Sequence, residues 1–83
     1  MGIFKSATPV DFGQQANQRR QGGHHVHTVI WQGPPATSLG SMDALSDVVE
    51  AVEQAGWRLE RSEPLDRDQA GRPTLLLLFR AAG

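Results

Sequence analysis

The sequence predicts an α+β fold with the element order β-α-β-β: a three-stranded sheet in the order 1-3-2, with one helix packed on one face. Three observations lead there. Leu45, Val48, Val49 and Val52 recur at the spacing of one helical face. Two segments of strand composition, His25 to Trp31 and Trp57 to Ser62, flank that helix. The run Thr74-Leu75-Leu76-Leu77-Leu78-Phe79-Arg80 is apolar on both faces of a strand.

Residues 1–23 show no sustained period and are expected to form a flexible N-terminal arm, or a segment that orders against another surface, with the folded domain spanning 24–83. Ile3, Phe4, Val10 and Phe12 are separated by Ser, Thr, Pro and Gly, and the polar tract Gln14 to Gln21 follows. Such a tract buries too little apolar surface to offset its own ordering entropy. A short helix over Phe12 to Arg20 is tolerated by composition, but it would have no apolar face.

The first strand opens at His25-Val26-His27 and ends at Gly33-Pro34-Pro35, because proline cannot donate to a sheet ladder. The helix then runs with Met42 and Ala55 extending its apolar stripe. Ser41 is placed to cap it, Asp43 sits at the positive end of its dipole, and Gly56 stands where a left-handed residue ends it. The second strand alternates, with Trp57 and Leu59 on one side and Arg58, Glu60 and Ser62 on the other, and Pro64 is expected to close it. A polar loop, Asp66 to Pro73, leads to the last strand. A right-handed crossover sets the first two strands parallel, and the fully apolar third strand belongs between them.

Composition narrows the function classes. The chain has 83 residues, room for one domain, and its net charge is -1 with a pI near 6.2. Lys and Arg are scattered, and Arg19-Arg20 is too small a patch for nucleic-acid affinity by counterion release, so no nucleic-acid partner is expected. There are no cysteines, which removes thiol catalysis and fits a reducing compartment. No apolar run approaches the roughly 20 residues of a membrane span. Gly2 and Ser6 match the loose myristoylation pattern, which has meaning only in a eukaryote. The composition otherwise suits a bacterial protein, and a cytoplasmic location with no membrane partner is the expectation.

The histidines are the most suggestive chemistry. His25 and His27 project to the same side of a strand and form a candidate metal pair, but no third ligand stands at a recognisable spacing. Asp66 to Gly71 faintly matches a calcium loop, with Ala70 and Leu77 where ligands are needed. No nucleophile elbow, phosphate loop or dinucleotide fingerprint occurs, and no catalytic or cofactor-binding residues are assigned. The chain is therefore read as non-enzymatic.

Ala55-Gly56-Trp57-Arg58-Leu59-Glu60 ends a helix and opens a strand. This junction resembles that of a family of short bacterial domains of unknown function that carry a Gly-Trp-Glu-Leu-Val type motif. The similarity covers about 25–80 and departs at the first strand, where His25-Val26-His27 replaces an aromatic and charged opening. The resemblance implies a β-α-β-β unit and brings no activity with it.

One helix covers one face of a sheet, so the other face is expected to be open and apolar. Either Leu75, Leu77 and Phe79 or Leu76 and Leu78 line it, with Val29 and Trp31 or Val26 and Ile30 beside them. Val29, Trp31, Leu75, Leu77 and Phe79 are the set named as the interface. Burying such a strip is worth several kcal/mol at about 25 cal/mol per Å². The expected function is thus an interaction or oligomerisation module, a homodimer or higher homo-oligomer, with the arm or another protein as other covers. The alternative is a small-ligand or metal-binding protein using the histidines with Trp31 and Trp57.

Overall fold

The computed structural model describes residues 8–33, 42–65 and 72–82. Five elements follow in chain order: α1 (Pro9–Gln21), β1 (Val26–Gln32), α2 (Asp43–Gln54), β2 (Trp57–Leu65) and β3 (Thr74–Ala81). The fold is α+β, and the three strands form one antiparallel sheet in the order β1-β3-β2. The two outer strands both run against β3 and so are parallel to each other. The leucine-rich strand takes the centre, as its two apolar faces require.

The first helix departs from the sequence reading. Residues 9–21 were expected within a flexible arm, and they form α1 instead. The helix begins with a reciprocal cap: the Asp11 N–H donates to Thr8 Oγ1 at 3.2 Å, and the Thr8 N–H donates to the Asp11 carboxylate at 2.9 Å. Pro9 occupies the first turn, where its missing N–H costs nothing. Only Phe12 and Ala16 are buried. Two inward residues make no visible stripe, so periodicity could not find this helix. At Gly13 it lies against α2, where a Cβ would meet the Ala51 carbonyl oxygen at an ordinary contact distance of 3.4 Å. Residues 1–7, including the myristoylation pattern, lie outside the described residues.

Helix α2 follows the expected stripe, with Val48 and Val52 buried and Leu45 and Val49 packed against the core. Its N-cap is Met42, whose side chain makes no capping bond, rather than Ser41, which lies outside the described residues. Gly56 adopts φ 101° immediately after the helix, the left-handed conformation expected of it.

Strand β2 continues past Pro64 to Leu65, contrary to the expected stop. It is an edge strand, where a proline can turn its nitrogen away from the ladder. A register shift between Leu59 and Arg61 inserts an extra residue at Glu60. Before it Trp57 is buried and Leu59 half-buried; beyond it the strand is exposed. The Asp66 to Gly71 segment lies outside the described residues.

The registers Val29↔Leu77, His27↔Phe79 and Trp31↔Leu75 put one alternating set of side chains on a common face. Val29, Trp31, Leu77, Phe79 and Trp57 form one buried cluster with Phe12 and Ala16 of α1 and Val48 and Val52 of α2. Behind Trp31, Gly33 gives the indole room: a Cβ on Gly33 would lie 2.2 Å from the ring.

Candidate functional site

The three histidines meet different fates. His24 and His25 are exposed ahead of β1, whereas His27 is 8% exposed within it. The metal pair His25 and His27 therefore does not share a solvated surface. Strand alternation carries His27 into the core face, between Trp57, with ring centroids 5.4 Å apart, and Phe79, at 6.4 Å. Its Nε2 is buried and has no hydrogen-bond partner. Burial, and then the nearby Arg19 guanidinium, push the imidazole below its ordinary value of 6.5. Among the described residues, no group of three or more His, Cys, Asp or Glu comes together to hold a metal.

Above His27, α1 is fastened to the sheet by polar contacts. The Trp57 indole N–H donates to the Ala16 carbonyl at 2.9 Å, in a buried position. Arg20 donates to the Gly56 carbonyl at 3.0 Å through Nε and to the Ala82 carbonyl at 3.2 Å through a terminal nitrogen. Its guanidinium lies 5.8 Å from the Trp57 ring centre. Arg19 donates to the Val26 carbonyl at 3.1 Å. The arginine pair dismissed as a weak phosphate patch thus stitches α1 to the ends of the strands. The sequence holds a signal for this helix, Thr8-Pro9-Val10-Asp11, which is a capping box with proline at the first helical position.

The interface residues named from sequence also fall elsewhere. Val29, Trp31, Leu77 and Phe79 are buried in the chain's own core, and Leu75 packs against it. They offer a partner no surface, because Trp57 and the buried helix residues already cover them. The other alternating set is different. Ile30, 62% exposed, pairs with Leu76, and Thr28 pairs with Leu78; both leucines are half-buried. Val26 lies on the same face beside Arg80. The Arg80 Nε meets the Glu60 carboxylate at 3.0 Å, and Arg61 pairs with Glu63 at 3.1 Å. An apolar strip thus runs beside charges of both signs.

No family model, curated protein or solved structure matches the chain. The site must be read from its own geometry. A shallow groove between α1 and α2, lined by Pro9, Val10, Gly13, Ala51, Gln54 and Ala55 among others, carries no titratable side chain. It offers no acid, base or nucleophile. No helix among the described residues is long and apolar enough to cross a membrane.

Proposed function

We propose that the chain is a non-enzymatic association module, and that the face bearing Ile30, Leu76 and Leu78 pairs with the same face of a second copy. Both helices cover the opposite face, which supplies the core. The observation that carries this reading is the alternation along β1 and β3, which buries Val29 and Leu77 while leaving Ile30 exposed. An apolar strip of this kind is what a soluble chain covers by association.

Charge favours a second copy over a strongly charged partner. Arg58, Arg61 and Arg80 share the rim with Glu60 and Glu63, a nearly balanced set. A two-fold arrangement brings each patch against itself, so cations of one subunit can face carboxylates of the other. Nucleic acid or an anionic surface would call for a single positive sign.

Light scattering on the protein at micromolar concentration tests this, with Leu78→Glu and Ile30→Glu alongside. The expected mass of the parent chain is above that of one copy, and both variants, with unchanged circular dichroism, fall to a single copy. A parent mass of one chain refutes the reading. So does an assembly that survives both substitutions.

A further inference from the structure

We propose that His27 is an acid-sensitive latch for α1: a proton on its imidazole, in a pocket with no acceptor for the second N–H, releases the helix from the sheet. The inference is independent of which surface mediates association.

Three features of the pocket carry it. The ring is 8% exposed and packed between Trp57 and Phe79. Among the described residues its Nε2 is buried without a partner, which the neutral imidazole protonated on Nδ1 tolerates as an unused lone pair but a cation does not, because that nitrogen becomes a donor. The charges that face the ring are of the wrong sign. From α1 come Arg19, close enough to disfavour the cation, and Arg20, which lies over the Trp57 ring. From β2 and β3 the neighbours are the uncharged rings of Trp57 and Phe79. The nearby strand carboxylate of Glu60 is engaged with Arg80, and from α2 the carboxylate of Glu53 accepts the Leu59 N–H at 3.2 Å. Among the described residues, no hydrogen bond or ion pair joins a carboxylate to His27.

The helix is the part of the molecule most easily given up. It buries only Phe12 and Ala16; beyond its packing on α2, it is tied down by the Trp57 indole bond, by three hydrogen bonds from Arg19 and Arg20 to backbone carbonyls, and by Arg20 lying over Trp57. Elements with few buried apolar contacts open at the lowest free energy. Lifting α1 would hydrate the imidazolium and separate it from Arg19, while β3 keeps its ladders to both neighbours.

The direction with pH follows from proton counting. A base whose folded-state value is depressed binds fewer protons when packed than when released. The latch therefore holds fully above about 6.5, and weakens as pH falls below that value. One proton raises the opening constant by at most about tenfold per pH unit, and only between the depressed folded-state value and about 6.5.

Hydrogen exchange of the full chain between pH 5 and 8, corrected for intrinsic exchange, reads α1 and β3 separately. Protection of the amides from Ala16 to Gln21 is expected to fall as pH drops below 6.5, by no more than about tenfold per unit, while Leu77 and Phe79 hold. In His27→Phe the α1 profile is expected to be flat, and a His24→Ala/His25→Ala variant should behave as the parent. An unchanged slope in His27→Phe overturns the proposal, as does loss of β3 in step with α1. Should His27→Phe not fold, the imidazole proton resonances of the parent decide. His27 must titrate below the ordinary imidazole value of 6.5, and titration at or above that value overturns the latch.

Discussion

Replacing Arg20 with methionine separates the packing of that side chain from its hydrogen bonds. Methionine retains an aliphatic stem and a polarizable tip to lie over Trp57. It cannot donate to the carbonyls of Gly56 and Ala82, which Arg20 reaches at 3.0 and 3.2 Å. Bonds from a charged donor contribute about 1.5–3 kcal/mol each. The Gly56 carbonyl loses less, since it also accepts the Ala82 N–H at 3.0 Å. With the guanidinium only partly buried, the lower end of the range applies, and the total is about 2–3 kcal/mol. For a domain of this size each kcal/mol moves the midpoint by about 4–8 °C, so a fall of roughly 10–20 °C is expected. Thermal unfolding followed by far-ultraviolet circular dichroism measures it. Arg19→Met is the matched control: it removes one exposed bond, to the Val26 carbonyl, and should cost about 1 kcal/mol or less. A fall below about 3 °C for Arg20→Met, or equal falls for the two variants, would refute the assignment of Arg20 as the clasp between α1 and the strand ends.

Two further substitutions probe the core. Gly33→Ala forces a methyl to within 2.2 Å of the buried Trp31 indole, and the ring must move out of a packed site. A loss of about 1–3 kcal/mol in urea unfolding is expected, together with a changed near-ultraviolet tryptophan signal. Leu77→Ala should cost about 2–5 kcal/mol by the same assay, whereas Leu78→Ala, on the other face, should cost under half as much for a single copy.

How far the sequence could be read depended on how many residues carried each signal. Helix α2 was legible because Leu45, Val48, Val49 and Val52 repeat on one face, and Gly56 marks its end. The sheet order was legible because only a central strand suits Leu75 to Phe79. The choice of face was not, since leucines at four consecutive positions give the same pattern on both sides of β3. What breaks the tie is the register that sets Val29 beside Leu77 and Ile30 beside Leu76. Composition tolerates helix α1 but no periodicity marks it, because its stability comes from a cap, two inward side chains and contacts from Trp57, Arg19 and Arg20. Those contacts join residues up to 62 positions apart, which no local window can see. At His27 polarity and alternation point in opposite directions. Polarity argued for the solvated edge, while its place in the alternation, between Val29 and the strand start, carried it inward.

The position of β3 has a consequence for synthesis. It is the last of the three strands among the described residues, yet there each of the other two has it as sole ladder partner. A nascent polypeptide that has not yet reached Thr74 owns two strands with nothing to pair with, and the aromatic side chains of Trp31 and Trp57 lack the leucine and phenylalanine they close upon. Formation of the sheet must therefore wait until β3 has been made and is free to pair, and until then the unpaired strand edges are open to foreign contacts. Truncation anywhere before that point should leave no partial sheet at all.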